Sequence, residues 1–309
     1  MKKDILTLAE LEKADFERLF QRAAELKARH KQGIRDRSLM DKSVGLIFEK
    51  PSTRTRLSFE AATIQLGGTP IFISAADTQM ARNEPVEDTA RVLSRYLDAV
   101  AIRTFSQTLV EDFAAAADIP VINALTDDHH PCQVLSDLMT VLEFKGRLED
   151  VKIAWIGDGN NMANSWIDAA TVLGFELVLA CPDEYAPHEE LLARAREKNQ
   201  RIRLVSDPAE AAAGADVINT DVWASMGQEH EADSRKNVFA SYCVDAKLLE
   251  VAADDVIIMH CLPAHRGEEI TAEVLEGERS VVWDQAENKL HMHKAILDVL
   301  ISGHRAATK

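Results

Sequence analysis

The sequence predicts an α/β protein of two domains, each a mainly parallel sheet flanked by helices, with a C-terminal helix returning to the first domain. Three observations predict it. Apolar runs of strand length alternate with helical patterns along the chain, the signature of parallel sheets covered on both faces. The alternation ends near residue 145 and restarts at KIAWIG, residues 152–157. The 309 residues, 46% hydrophobic and 6% aromatic, suffice for two cores of ordinary domain size rather than one.

In the first half, SVGLIF (43–48), TPIFIS (69–74), AVAIRT (99–104) and IPVINA (119–124) read as strands because they are short, apolar and bounded by turn residues. Between them lie the helical patterns RLSFEAATIQLG (56–67), DTARVLSRYL (88–97) and VEDFAAAA (110–117). The spacing of Val134, Leu135, Leu138, Val141 and Leu142 predicts a helix from Pro131 to about Lys145. The second half repeats the scheme with KIAWIG, NSWIDAATVLG, ELVLAC, a helix from about His188 to Asn199, RIRLVS, AEAAAG, DVINT, DDVIIMHCLP and SVVWD, the last read as a strand. A final apolar helical pattern runs from Ala286 to about Ser302. The expected domains are 1–147 with 286–309, and 148–285.

Charge excludes several functions. Lys and Arg total 35 against 51 Asp and Glu, a formal net charge of −16, so no general attraction to nucleic acid or anionic lipid is expected. Any bound anion needs a local cationic cluster. The N-terminal MKKDILTLAELEKADFERLF has no apolar signal region, and nowhere do 18 apolar residues run together, so a cytoplasmic protein with no membrane partner is expected. Cys132, Cys181, Cys243 and Cys261 are widely spaced, which predicts reduced thiols.

Four stretches carry candidate chemistry. In FEKPSTRTRLSFE (48–60), Pro51 breaks a strand, and Ser52 or Thr53 caps a helix expected to bury Leu57, Ala61, Ile64 and Leu66. Its first turn offers backbone N–H groups and the hydroxyls of Ser52, Thr53 and Thr55 to an anion. Arg54 and Arg56 lie about 200° apart around a helix, so Arg54 is assigned to the anion and Arg56 to an ion pair with Glu60, four residues on. No Walker pattern is present. In DDHHPCQVLSDLM (127–139), Pro131 at the first helical position leaves His130 at the loop end, placed to donate to a carbonyl or phosphate oxygen. A zinc reading of His129, His130 and Cys132 fails for want of a second ligand pair at finger spacing.

In WIGDGNNMANSW (155–166) a strand, Gly turn and helix follow one another. The third glycine of a dinucleotide fingerprint is replaced by Met162, and the asparagines Asn160 and Asn161 suit a zwitterionic amino acid better. In the fourth, the strand ends NTDVWASMGQE (219–229) and MHCLPAHRGEE (259–269) bring Asp221 and Cys261 to the edge where ligands collect in open α/β sheets, with a loop of small residues, Ala224, Ser225 and Gly227, after Asp221.

Six segments in order, FEKPSTRTRLSFE, IRTF, DDHHPCQVLSDLMT, GDGNNMANS, DVWASMGQE and HCLPAHRGEE, closely resemble the carbamoyltransferases over nearly the whole chain, and SMG with HCLP is the pattern of their ornithine-type branch. The resemblance implies that Ser52, Thr53, Arg54, Thr55 and Arg103 hold the phosphate of carbamoyl phosphate, with His130 and Gln133 near its carbamoyl group. It implies that Asn161, or its neighbour Asn160, together with Asp221, Ser225 and Met226, surrounds ornithine. Cys261 and Leu262 then lie beside the carbamoyl nitrogen and the attacking amine, and Cys261, Asp221, Arg103 and His130 carry the chemistry. No metal or organic cofactor is implied. A homotrimer, or a multiple of trimers, is implied, with Gln79 of DTQMARNEP reaching a neighbouring subunit's site. One departure stands out: in DQAENKLHMHKA (284–295) Lys289 occupies the place of an arginine that in the family reaches carbamoyl phosphate. Competing readings are a carbamoyltransferase for another amine, a nicotinamide-dependent oxidoreductase built on the GDGNN turn, and a non-enzymatic amino-acid-binding protein, which leaves the phosphate turn unexplained.

Overall fold

The computed structural model describes residues 4–224 and 232–307. The chain divides into two compact units, Met1–Met139 with Asn288–Lys309, and Thr140–Glu287. Each change of unit falls inside a helix, where composition carries no linker signal.

The first unit opens with helix α1 (Lys13–Lys31), whose Phe16, Leu19, Phe20, Ala23 and Leu26 form one buried stripe. Strands β1 (Ser43–Phe48), β2 (Thr69–Ser74), β3 (Ala99–Arg103) and β4 (Val121–Leu125) alternate with α2 (Thr53–Gln65), α3 (Val86–Leu93) and α4 (Gln107–Ala116), and α5 (Pro131–Lys145) follows. The strands form one sheet in the order β2-β1-β3-β4, each pair parallel. Every residue of β3 is buried, as expected of a central parallel strand with helices on both faces. Edge strand β2 has no buried residue. The Ser106 hydroxyl caps α4 by accepting the Leu109 N–H at 3.1 Å.

The second unit contains β5 (Lys152–Ile156), α6 (Asn161–Leu173), β6 (Glu176–Ala180), α7 (Glu189–Lys198), β7 (Ile202–Val205), α8 (Pro208–Ala212), β8 (Val217–Thr220), α9 (Ala232–Phe239), α10 (Ala246–Leu249), β9 (Ile257–His260) and α11 (Ala272–Leu275). Its five-stranded sheet runs β7-β6-β5-β8-β9, all parallel, with the strand order reversing direction between β5 and β8. Short polar caps set the helices. Asp207 accepts from Ala209 N–H at 2.9 Å, Asp245 from Leu248 N–H at 2.8 Å and Thr271 from Val274 N–H at 3.3 Å.

Helix α12 (Val282–Ala307) ends the chain, and from Asn288 onward it belongs to the first unit. It meets α1 through Lys27 Nζ to Asn288 Oδ1 (2.6 Å) and Arg22 Nε to Asp298 Oδ2 (2.6 Å). It meets α2 through the Ser58 hydroxyl and His293 Nδ1 (2.9 Å), with the His293 ring stacked on Phe59 at 3.7 Å.

Two expectations are corrected. SVVWD is not a strand: Ser280 makes a single bridge to Ile258, and Val282 already starts α12, four residues before the expected beginning. Helix α2 does bury Leu66, but it exposes Leu57 (57%) and Ile64 (61%) and buries Thr55, Phe59, Ala62 and Thr63 instead. The cause is that α2 carries two stripes at helical spacing, 57/61/64 and 55/59/62/63/66, and the inner one contains two threonines. Thr63 tolerates burial because its hydroxyl donates to the Phe59 carbonyl at 2.8 Å. Phe59→Ala is therefore expected to cost about 3–5 kcal/mol, read as a lowered urea midpoint. A midpoint unchanged in that variant would return Phe59 to the surface.

Candidate active site

At the carboxyl end of β1 the chain turns through Glu49, Lys50, Pro51 and Ser52 into α2. Ser52 is the N-cap, extended at φ −163° and ψ 117°, and its hydroxyl accepts the Thr55 N–H at 3.3 Å. Thr53, Arg54 and Thr55 make the first turn, with Thr55 buried and Arg54 exposed. No acidic residue lies in that turn, so the positive end of the helix dipole is not offset by its own sequence. The other nearby cations are occupied. Arg56 donates to Glu60 at 2.8 Å, as its spacing predicted, and lies 3.5 Å from the Phe72 ring centroid. Lys50 pairs with Asp127 and sits over Phe105.

Arg103 ends β3 and is 6% exposed. Burial, and then the like charge of Arg54, bring its guanidinium down to about 10, still cationic at neutral pH. His130, immediately before α5, is 5% exposed. Burial first, then Lys289, Arg103 and His293, hold its imidazole well below the usual histidine range, so it is neutral and has one N–H to donate. In the first turn of α5, Gln133 accepts from Lys289 Nζ at 2.8 Å and donates to Asp137 at 2.8 Å. Lys289 is 6% exposed, so the departure from arginine falls on a buried residue. Its neighbour His293 is likewise held neutral, by burial and then by Lys289. Within this unit the structure thus brings together Arg54, Arg103, His130, Gln133 and Lys289. Gln79 stands apart, exposed at the start of a 3-10 turn, Gln79–Arg82.

In the second unit the reversal of strand order places the ends of β5 and β8 side by side, where open α/β sheets form ligand crevices. After β5 the backbone passes through Gly157 at φ +136°. A Cβ on Gly159 would meet Pro187 N at 2.4 Å, so this turn admits only glycine there. Asn160 is the N-cap of α6, its Oδ1 accepting from Met162 N–H (2.9 Å) and Ala163 N–H (3.4 Å). Its buried Nδ2 has no hydrogen-bond partner among the described residues. Asn161, the first helical residue, is half-buried.

Past β8, the Asp221 carboxylate accepts its neighbour Val222 N–H at 2.8 Å. Burial pushes the Asp221 carboxyl up, against the opposing pull of His260 and a hydrogen bond from Cys261. Past β9, Cys261 is half-buried and Leu262 adopts a left-handed φ of +58°. Donor atoms of Asp221, His260 and Cys261 lie within 4.8 Å of one another. Ser225, Met226 and Gly227 lie outside the described residues.

Motif reading missed the groups that brace these side chains. His260 is fully enclosed. Its Nδ1 accepts the Leu262 N–H at 2.8 Å and its Nε2 pairs with buried Glu269 at 2.9 Å, which assigns the proton to Nε2 in the neutral ring. Glu269 also accepts the His265 N–H at 2.6 Å. With both ring nitrogens of His260 engaged, the Asp221–His260–Cys261 cluster is a hydrogen-bonded one. Arg235 donates to Asp158 and to the Trp223 carbonyl, both at 2.9 Å, tying the turn after β5 to the loop after β8. His260 and Glu269 stand in the quoted HCLPAHRGEE segment, and their spacing alone carried no sign of pairing. The four cysteines are free thiols. Burial pushes Cys132 up to about 12, which leaves Cys261 the better placed for chemistry.

Because the folded Asp221 carboxyl titrates above its unfolded value, its ionisation opposes folding. Stability is unaffected by this group below the unfolded pKa and falls as pH rises through the folded one. Asp221→Asn is expected to raise the urea midpoint at pH 7 and leave it unchanged near pH 3. An equal gain at both pH values would remove ionisation as the cause.

The comparisons accord with this geometry. Residues 3–143 match the family model described as the carbamoyl-P binding domain of aspartate/ornithine carbamoyltransferase, and residues 149–300 match its Asp/Orn binding domain. The chain is 60% identical over 281 residues to the ornithine carbamoyltransferase of Desulfotalea psychrophila, covering 91% of this chain and 93% of that protein. It is 55% identical over 283 residues to the anabolic ornithine carbamoyltransferase of Pseudomonas aeruginosa, covering 92% of each. Among solved structures, the ornithine carbamoyltransferase of Pyrococcus furiosus is similar with a TM-score of 0.93 and 46% identity, over 97% of both chains.

Proposed function

The chain belongs to the aspartate/ornithine carbamoyltransferase family, and from that premise we propose that it transfers the carbamoyl group of carbamoyl phosphate to the δ-amine of L-ornithine, giving L-citrulline and phosphate in arginine biosynthesis. One observation carries the reading: in an acidic chain, Arg103 and Lys289 both press on neutral His130, and the like charge of Arg54 presses on Arg103. An anion relieves that repulsion, and the hydroxyl-rich start of α2 suits tetrahedral phosphate oxygens.

In this reading residues 1–147 with 286–309 bind carbamoyl phosphate through Ser52, Thr53, Arg54, Thr55, Arg103, His130, Gln133 and Lys289. Residues 148–285 bind ornithine through Asn161, Asp221, Ser225 and Met226. The neutral δ-amine attacks the carbamoyl carbon, negative charge develops on the carbonyl oxygen, and phosphate departs with the proton that the attacking nitrogen gives up. Thr55, Arg103 and the single N–H of neutral His130 stabilise that oxygen, and loss of one such donor costs about 10²–10³ in rate. Free ornithine carries a protonated δ-amine. Asp221, whose carboxyl is pushed up by burial, takes that proton more readily than a solvated aspartate and works beside Cys261 and Leu262. The phosphate itself is the leaving group, so the scheme uses no metal or organic cofactor.

A citrulline assay with ornithine, putrescine and acetylornithine tests the substrate, ornithine alone giving product. In the same assay Arg54→Ala is expected to lose about 10²-fold or more in rate with an unaltered circular-dichroism spectrum, whereas Arg56→Ala, which loses its contacts to Glu60 and Phe72, keeps turnover. Near-normal activity of Arg54→Ala at modest carbamoyl phosphate would overturn the phosphate assignment.

Lysine at 289 keeps the charge of the family arginine but lacks its planar fork, and here it donates to Gln133. Lys289→Arg is expected to lower the KM for carbamoyl phosphate several-fold, about 1 kcal/mol for an added charge-assisted bond, with the ornithine KM little changed. Equal silence of Lys289→Arg and Lys289→Ala would show that position 289 does not reach the substrate.

The working molecule is a homotrimer or a multiple of trimers in the cytoplasm, with Gln79 reaching a neighbouring subunit's phosphate site. Supporting this, Leu57, Ile71 and Phe72 on α2 and edge strand β2 are 57%, 41% and 39% exposed, an apolar surface that another copy would cover. Sedimentation equilibrium is expected to give three chains or a multiple, and a monomer would sink the assignment.

A further inference from the structure

A cavity of about 600 Å³ in the first unit is walled by the end of α1, the segment 33–40, the end of α2 and Lys294 of α12. It shares no residue with Ser52–Thr55, Arg103, His130 or Gln133. Lys294 follows Lys289 by five residues, about 140° around the helix, and so serves a different face of α12. Arg29, Arg35, Arg37 and Lys294 line this cavity, and Asp36 is its one carboxylate.

That carboxylate is already shared. Asp36 accepts from Ser38 N–H at 2.9 Å and Arg22 Nη2 at 3.3 Å, and lies 3.5 Å from Arg29 Nε. Lys294 is 3% exposed, yet among the described residues its ammonium makes no hydrogen bond or ion pair. Burial pulls its pKa down and only the field of Asp36 opposes this. Arg29 Nε and Gln65 Oε1 are buried without hydrogen bonds. Arg35 and Arg37 have no carboxylate partner among the described residues. An ammonium at the cavity wall whose one opposing charge, Asp36, is already shared leaves room for an anion, and in a chain of net charge −16 carboxylates were abundant candidates to fill the place.

We propose that this cavity is a second anion site, taking a small organic polyanion whose carboxylate or phosphate oxygens meet Lys294, Arg29 and the Arg35/Arg37 pair. Guanidinium forks suit either oxyanion. Leu26, Ile34, Met40 and Leu66, also on the wall, accept a short carbon frame, and the volume falls in the range of small-molecule sites.

Isothermal titration of the full-length protein with citrate, a tricarboxylate, and with 3-phosphoglycerate, a phosphate-bearing carboxylate, tests the proposal. The Arg54→Ala background removes competition from the phosphate turn. Saturable binding of at least one probe is expected there, weakened about tenfold by Lys294→Met, the loss of one charge-assisted contact, and also weakened by Arg29→Gln. The probe that binds identifies the preferred oxyanion. Lys294→Met removes a buried charge and should not impair folding; Arg29→Gln, nearer the surface, is the independent check. Citrulline formation by Lys294→Met without added anion should be unchanged, which separates this site from the catalytic one. Absence of saturable binding by both probes, or binding that survives both variants, would overturn the proposal.

Discussion

Taking cations out of water in the first unit is the constraint on which the rest of the site depends. Arg103 and Lys289 are each 6% exposed, and burial of an ionised group is tolerated only with compensating partners. The fold supplies partial compensation. Lys289 finds the Gln133 carbonyl, Gln133 is fixed in turn by Asp137, and His130 and His293 stay neutral so as not to add to the charge. No acidic residue in the first turn of α2 completes the balance. In the proposed function a dianionic substrate does so instead, which would make the same arrangement a binding site and a source of instability in its absence. This division of labour explains why the side chains around the cations are amides, hydroxyls and imidazoles rather than carboxylates.

The second unit solves a different problem, the placing of a thiol and a carboxyl at adjacent strand ends. Cys261 and Leu262 leave β9 in a turn that includes a left-handed leucine, a conformation that costs of order 1–3 kcal/mol. The turn is over-determined from behind: buried Glu269 fixes the His260 ring, and that ring accepts the Leu262 N–H. On the facing strand end, Arg235 bridges Asp158 and the Trp223 carbonyl and so joins the loops after β5 and β8. Rigid support of this kind keeps the Asp221 carboxyl in a poorly solvated place, and that position, rather than residue identity, sets its proton affinity.

The sequence made the alternation of strands and helices legible because period and punctuation are local properties. Strands β1, β3, β5 and β8 fall within the runs that predicted them, and Pro131 opens α5 as its fixed φ requires. Two kinds of feature were not legible. Where α2 offered two apolar stripes, the choice between them was made by tertiary contacts of Phe59 with His293, which lies 234 residues away by subtraction of the two numbers. The strand reading of SVVWD failed for a related reason, since a short apolar run does not distinguish a strand from the buried start of a long helix. At the site, the residues proposed to touch substrate sat in recognisable motifs, whereas the positioning groups Glu269 and Arg235 act through partners brought together only by the fold.

Asn160 shows how a motif position acquires its meaning from the turn around it. Its carbonyl is spent on the N–H groups of Met162 and Ala163, so only the amide nitrogen remains for a ligand, and that nitrogen can donate but not accept. It can meet a substrate carboxylate but not an ammonium group. Asn161 is the first helical residue of α6 and not its N-cap. The cap thus fixes the angle at which α6 leaves the sheet and limits Asn160 to the carboxylate end of a zwitterionic amino acid.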